Sequence, residues 1–288
     1  MGVKIRIFRT IHQIRQSFID TMAIITLTTD YGEKDYFASA LKGAVLCQLP
    51  DTNIIDISHN ISPFNITEGA YIIKNAYHHY PKGTIHIIGI DAEKSKDKLH
   101  IATEVDGHFF IGADDGIFSL IFPDIKPEKI VALTIEQESD SMTFPAKDIF
   151  VKAACHIARG GTLGVIGRQI NEFKQARNFN PMVSPDGNTI SGSVIYIDNF
   201  GNAVTNITKK LFRDVGKTRE FEIILPRVYT LRKIHKSYNS VPESEKLALF
   251  NSGGFLEIAI SRADSHAMSG ASGLLGISFR DTIKVEFS

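Results

Sequence analysis

The chain has 288 residues, 43% of them hydrophobic, with 32 basic and 32 acidic side chains that cancel at neutral pH. That length supports one large or two small cores, and the balanced charge offers no electrostatic footprint for nucleic acid or an anionic membrane surface. Two cysteines, Cys47 and Cys155, exclude a disulfide framework and read as reduced core residues of a cytoplasmic protein, and no apolar run is long enough to span a bilayer.

Residues 1–21 stand apart. Lys4, Arg6, Arg9 and Arg15 are spread through them, Asp20 is their only acid, and they lack the apolar core of a secretory signal. They read as a disordered extension or as a start codon placed too early; a basic amphipathic targeting helix is the other reading.

From Met22 to about Gly167, β-rich and helical patterns alternate. Strands are predicted at 23–29, 53–57, 84–90, 99–105, 108–112 and 129–134, and helices at 36–48, 66–80 and 148–159. Asn65 with Glu68 resembles a capping box before the second helix, and Asp106-Gly107 between two β runs is a hairpin signal. The alternation predicts an α/β domain over 22–180 with a mostly parallel sheet. Its first strand stops at Asp30-Tyr31-Gly32-Glu33-Lys34-Asp35, where Asp35 is placed to cap the helix that follows. Open α/β sheets bind ligands beside such loops. This loop carries three carboxylates and no G-x-G-x-x-G spacing, so it suits hydroxyls, an organic cation or a metal better than phosphate. An Asp carboxylate accepts from both hydroxyls of a ribose in short charge-assisted bonds.

Residues 168–188 lose the pattern and end in Ser184-Pro185-Asp186-Gly187-Asn188, a linker-like cluster. Beyond it come short β runs at 189–197, 219–225, 247–250, 255–260 and 282–287, with one helical hint at 208–214. They predict a second, smaller domain over 189–288, an all-β barrel-like domain or sandwich. Within it the apolar run Val194 to Ile197 breaks into Asp198, Asn199, Gly201, Asn202, Thr205 and Asn206. Five polar side chains and a glycine within nine positions are more than a plain turn needs, which favours a ligand loop.

Five segments, in order, carry a resemblance. They are Thr29-Asp30-Tyr31-Gly32, Asp56-Ile57-Ser58-His59, Pro81-Lys82-Gly83-Thr84, Asp198 to Ile207, and Asn251-Ser252-Gly253-Gly254-Phe255-Leu256-Glu257-Ile258-Ala259. Together they resemble the S-adenosylmethionine hydrolases, or hydroxide adenosyltransferases, which are related to the fluorinases and chlorinases. The resemblance covers about residues 23–288. It implies an α/β domain followed by a β-barrel domain, assembly as a homotrimer with sites between subunits, and S-adenosylmethionine as substrate with no cofactor or metal. By position, it implies that Asp30 holds the ribose hydroxyls, Phe64 packs against the nucleoside and Asn202 reads the adenine edge. Asp198 and Ser252 would hold the methionine end, and the backbone near Arg262 would face the adenine. Phe64 after Pro63 also reads as plain core, and Ser252 before two glycines as plain turn.

The implied reaction is in-line attack of water on ribose C5′, expelling a neutral thioether from a sulfonium, so no general acid is needed. Hydrolases of this family carry an Asp, an Arg and a His around the water. Here the Asp is Asp91, the loop after it is Ala92-Glu93-Lys94-Ser95-Lys96-Asp97, Lys98 stands where the Arg is expected, and the His falls at Pro145. Lys98 neutralises Asp91 only as a point charge, without the bidentate fork of a guanidinium. Asp91 as base for water is the simplest reading, and its charge disfavours a halide. Among the histidines, His59 at a strand end stands out.

Three functions compete: an enzyme hydrolysing S-adenosylmethionine to adenosine and methionine; a nucleoside or S-adenosylmethionine binding protein with little or no turnover; and a metal-dependent phosphohydrolase using Asp30, Asp35, Asp91, Asp114 and Asp115.

Overall fold

The computed structural model describes residues 23–136, 143–176, 180–264 and 268–288, which leaves the extension at 1–21 outside the described residues. The chain divides into two compact units, 1–176 and 177–288.

The first unit holds strands β1 (Ile24–Thr29), β2 (Asn53–Ser58), β3 (Ile85–Gly89), β4 (His100–Val105), β5 (His108–Ala113), β6 (Lys129–Leu133) and β7 (Gly167–Ile170). They form one sheet in the order β2-β1-β3-β5-β4-β6-β7. The pairs β1–β2, β1–β3 and β3–β5 are parallel, whereas β4–β5, β4–β6 and β6–β7 are antiparallel. The sheet is therefore mixed, not mostly parallel. The cause lies in the Asp106-Gly107 turn, where both residues adopt positive φ (51° and 72°). That two-residue turn folds β4 back against β5 as a hairpin, and every strand added outside it runs antiparallel to its neighbour.

Helices α1 (Phe37–Gln48), α2 (Ile66–Ala76), α3 (Ile117–Ile121), α4 (Val151–Ala158) and α5 (Leu163–Ile166) accompany this sheet. Leu41 and Val45 of α1 and Val151, Ala154 and Cys155 of α4 join Ile25, Leu27, Ile85 and Ile87 in one core. Ala70 and Ile73 of α2 with Ile117 and Phe118 of α3 join Ile88, Ile90 and Phe110 in another. Adjacent strand residues point to opposite faces, so β3 feeds one core with Ile85 and Ile87 and the other with Ile88. Cys155 is buried as expected, but Cys47 is exposed, because it lies two positions beyond Val45 and so turns away from the sheet. Asp35 does not cap α1: the cap position is Tyr36, without a side-chain bond. At α2 the cap is present, with Glu68 N–H donating to Asn65 Oδ1 at 3.2 Å and Asn65 Nδ2 donating to Glu68 Oε2 at 3.1 Å.

The second unit contains β8 (Met182–Val183), β9 (Thr189–Ile197), β10 (Ala203–Thr208), β11 (Phe221–Ile224), β12 (Thr230–Leu231), β13 (Ile234–His235), β14 (Lys246–Phe250), β15 (Phe255–Ile260) and β16 (Thr282–Phe287), with helices α6 (Lys209–Gly216) and α7 (Ala271–Leu274). The strand order is β12-β11-β16-β9-β10-β15-β14-β13, with β8 on β9. This is a half-barrel-like sheet, and among the described strands its two ends do not pair. Strand β9 joins its halves: residues 189–193 pair with β16, and 194–197 with β10. A Cβ on Gly192 at that junction would lie 2.4 Å from Ile207 Cγ1, so only glycine lets the strands approach there. The core gathers Ile190, Val194, Ile207, Ile258 and Val285.

Candidate functional site

The sheet of the first unit places its carboxyl strand ends together. Thr29 pairs with Gly89 across β1 and β3, so Asp30 and Asp91 follow adjacent strand ends, the usual ligand position of an α/β sheet. Asp30 Oδ2 accepts the backbone N–H of Phe64 at 3.0 Å and that of Asp91 at 3.2 Å. Both donors have positive φ, 62° at Phe64 and 43° at Asp91. A non-glycine residue there costs about 1–2 kcal/mol, and the shared carboxylate holds both in place.

A cleft of about 300 Å³ opens beside this junction, lined by Asp30, Tyr31, Phe37, Phe64, Asp91 and Glu93 on one part and by Thr143, Phe144 and Pro145 on another. Tyr31, Phe37 and Phe144 form its aromatic wall, with Phe144 edge-on to both other rings at 5.5 Å between centroids. Burial pushes the Tyr31 phenol well above its ordinary range, and the neighbouring Asp30 charge adds to this. Phe64 is 73% exposed, which removes its reading as plain core and leaves the ring free to cover a ligand.

Lys98 stands behind Asp91. Its Nζ donates to Asp91 Oδ1 at 2.8 Å and to the Asp91 carbonyl at 2.7 Å. Pro145 opens a π turn over Ala146–Phe150, closed by the Val151 N–H donating to the Ala146 carbonyl. It presents no side-chain base to the cleft.

His59 supports the Asp30 loop from beneath. Its Nδ1 lies 2.7 Å from Thr29 Oγ1, and its carbonyl accepts the Gly32 N–H at 2.7 Å. Its Nε2 is 3.0 Å from Asp56 Oδ1, and Lys42 Nζ donates to Asp56 Oδ2 at 2.5 Å. The Nε2–Asp56 contact is close but poorly aligned for a hydrogen bond, so it acts electrostatically. Burial raises the Asp56 carboxyl, but the Lys42 and His59 contacts outweigh it and hold the group below its ordinary range. His59 thus braces the loop without entering the cleft.

In the second unit the polar loop is shorter than expected. It comprises residues 198–202, because Ala203–Thr208 is strand β10. Thr205 Oγ1 is buried and donates to the Leu256 carbonyl at 2.9 Å, and Asn206 Oδ1 accepts the Ser193 N–H at 2.8 Å. Those two side chains serve the sheet, where the pairing of β10 shifts register. Asp198 Oδ1 accepts the N–H groups of Phe200 and Asn202 at 2.8 and 2.9 Å, and Asp198 Oδ2 accepts Asn202 Nδ2 at 2.9 Å. Only the amide NH₂ can donate to a carboxylate, which fixes the Asn202 orientation and leaves its Oδ1 buried without a partner. An unpaired buried acceptor is costly, and any N–H or O–H donor brought to it would remove that cost.

Ser252 is exposed in the β14–β15 turn, in which Asn251 Oδ1 accepts the N–H groups of Gly253 and Phe255, both at 3.1 Å. Glu257, which sequence reasoning passed over, anchors that turn by accepting from Asn251 Nδ2 at 3.0 Å and from Tyr238 at 2.8 Å. Burial raises its carboxyl above the ordinary range. Arg262 follows β15 with a φ of 55°.

The structure thus groups Asp30, Phe64, Asp91 and Lys98 in the first unit, while Asp198, Asn202, Ser252 and Arg262 lie on loops of the second. Asp35 is exposed and Asp114 is spent on the Lys174 N–H at 3.0 Å. Among the described residues no group of three His, Cys, Asp or Glu side chains is placed to hold a metal ion, and no helix is long and apolar enough to cross a membrane. The aromatic wall was not foreseen, since its members are brought together only by folding.

Comparison with known proteins bears on both units. The chain is 31% identical over 279 residues to an (R)-S-adenosyl-L-methionine hydrolase of Methanocaldococcus jannaschii, covering 92% of this chain and 97% of that protein. It is 21% identical to a fluorinase of Actinopolyspora mzabensis, covering 83% and 91%. In fold it is similar to an uncharacterised conserved protein of Thermotoga maritima, with a TM-score of 0.79 at 24% identity over 91% of this chain and 99% of that one. Residues 25–167 match the N-terminal domain of the SAM hydroxide adenosyltransferases and residues 192–284 their C-terminal domain, and the chain belongs to that family.

Proposed function

We propose that the chain hydrolyses S-adenosylmethionine to adenosine and L-methionine by attack of water on ribose C5′. The observation that carries this reading is Asp91, a carboxylate fixed at a parallel strand end, lining an aromatic cleft beside Asp30. Asp30 Oδ2 is committed to two backbone N–H groups, so Oδ1 is the oxygen turned to ribose hydroxyls. Asp91 accepts a proton from the attacking water while Lys98 balances its charge. The leaving thioether is neutral, so the remaining work is to position water in line with the C–S bond, a proximity effect. The carboxylates favour the sulfonium ground state, whose charge fades in the transition state, and therefore supply affinity more than rate. Asn202 accepts from the adenine amino group, and Asp198 and Ser252 lie toward the methionine end. The similarity to the Methanocaldococcus hydrolase supports the substrate.

The assembly that completes this reading is a homotrimer, tested by light scattering on the native chain. The reaction itself is tested by incubation with S-adenosylmethionine in ¹⁸O-water: label should enter the adenosine 5′ oxygen. Formation of a 5′-halonucleoside in chloride overturns the water reading. Pro145 and Lys98 favour a second reading, a binding protein with little turnover; it is the correct one if S-adenosylmethionine binds and no product forms.

A further inference from the structure

A third carboxylate stands at the end of the neighbouring strand. Strands β3 and β5 are parallel, with Ile87 opposite Ile111, and the same register carried forward sets Asp91 level with Asp115. Asp115 Oδ1 accepts the Ile117 N–H at 3.0 Å, whereas Oδ2 is buried and has no partner. An orphan carboxylate oxygen of this kind is expensive unless it serves the site. The charged groups that act on it are Asp91, from the end of β3, and Lys98, from the segment after it. Lys174, from the adjoining 171–176 segment, is engaged elsewhere, its N–H on Asp114 and its ammonium on the Asp97 carbonyl at 3.0 Å.

We propose that Asp115 is a positioning residue: its charge state decides how strongly the Lys98 ammonium is held on Asp91 Oδ1, and so how readily the Asp91 carboxylate takes the proton of the attacking water. This rests on the hydrolytic reading given above. The ammonium has three donors, of which two go to Asp91 Oδ1 and the Asp91 carbonyl. When Asp115 is ionised its orphan Oδ2 draws Lys98, and the hold on the Asp91 carboxylate weakens. When Asp115 carries a proton, the ammonium stays with Asp91 and quenches its charge. Burial pushes the Asp115 carboxyl up to about 6, the charge of Asp91 adds to the rise, and Lys98 partly offsets it. With the family histidine replaced by Pro145, the site thereby retains a group that titrates close to neutrality.

Asp115→Asn is the test, since an amide oxygen can still accept from Ile117. With aspartate carboxyls labelled in ¹³C, the Asp91 resonance of the unmodified protein should step near pH 6, and Asp115→Asn should abolish the step. In parallel, kcat for S-adenosylmethionine should fall about tenfold per pH unit below 6 in the unmodified protein. The variant should lose that limb while KM and adenosine affinity stay within about twofold. A step that persists at the same pH in Asp115→Asn, or an adenosine affinity lost together with kcat, overturns the proposal. Absence of any hydrolysis by the unmodified protein refutes the reaction instead, and the carboxyl titration still decides the role of Asp115. Should Asp115→Asn fail to fold, Lys98→Gln serves. Removing the cation must move the Asp115 titration upward, and an unmoved titration refutes the proposal.

Discussion

Lys98 holds Asp91 at two points, 2.8 Å from Oδ1 and 2.7 Å from its backbone carbonyl. The Asp91 N–H is held by Asp30, so the residue is fixed at its amide, its carbonyl and its carboxylate, in a backbone conformation it would not choose alone. Such anchoring suits a base that must meet a water in one place. Asp91→Asn is expected to abolish turnover and leave adenosine binding largely intact, measured by product formation and calorimetry. Undiminished hydrolysis would mean that another group accepts the proton.

The pairing of Lys98 with Pro145 sets the rate. Two groups that would orient the water are absent, and each is worth about 10²–10⁴-fold on the scale of general-base contributions. Turnover is expected to be slow. Pro145→His with Lys98→Arg should raise it by more than either change alone, because both act on one water. A rapid unmodified enzyme, or a double variant with no gain, contradicts this.

Asp30 both binds and builds. Asp30→Ala removes the ribose contacts and also releases the amides of Phe64 and Asp91, so adenosine affinity should drop by about 1.5–3 kcal/mol and Tm should fall with it. Asp30→Asn keeps one acceptor for those amides and should separate the effects, losing affinity while largely retaining Tm. Equal adenosine affinity in all three proteins would remove Asp30 from the nucleoside site.

Asn202 offers a buried acceptor, Oδ1, while its NH₂ group is turned to Asp198. It should prefer adenosine, which presents an amino group, to inosine, which presents a carbonyl, by at least about tenfold in Kd. Asn202→Ala should erase the difference. Indifference of the unmodified protein to the exchange would detach Asn202 from the base.

Acid stability follows from the histidines under α2. His86 Nδ1 lies 2.7 Å from Thr26 Oγ1, and its Nε2 is 3.3 Å from His108 Nδ1. Burial lowers His86 from 6.5 to about 3, with the His108 interaction adding to it. The folded protein thus keeps this ring neutral while the unfolded chain protonates it below 6.5. The stabilisation is complete above 6.5 and is lost as pH falls toward 3. The raised Asp115 carboxyl contributes with the opposite sign, losing stability as pH rises through about 6. Tm should therefore decline on acidification below 6.5, and His86→Gln should flatten that decline. An equally steep decline in His86→Gln would place the acid sensitivity elsewhere.

Much of this was legible in the sequence where local pattern and tertiary fate agree. Strand β9 occupies 189–197, and β15 and β16 occupy 255–260 and 282–287, the same ranges the alternation predicts. Strand β10 was hidden because Thr205 and Asn206 look like loop residues, yet each finds its partner on a neighbouring strand. Helix α3 was hidden because the five residues Ile117–Ile121, four of them apolar, are too few to show a helical period. Parallel and antiparallel pairing was misjudged because it depends on where the Asp106-Gly107 hairpin docks, a long-range choice. Asp30 and Asp91 were readable as polar residues ending apolar runs. The orphan oxygens of Asp115 and Asn202 were not, since burial of a single atom has no signature in composition.

The π turn over Ala146–Phe150 sets the rotation at which Phe144 and Pro145 meet the cleft. A turn of this kind holds one residue more than an α-helical turn, and α4 continues directly from it at Val151. Loss of one codon here would restore the regular spiral and swing the preceding Phe144-Pro145 by about 100° around the axis, exchanging the side chains offered to the cleft. Deleting one residue from this turn, with no substitution at all, would thus change which side chains can orient a water in the cleft.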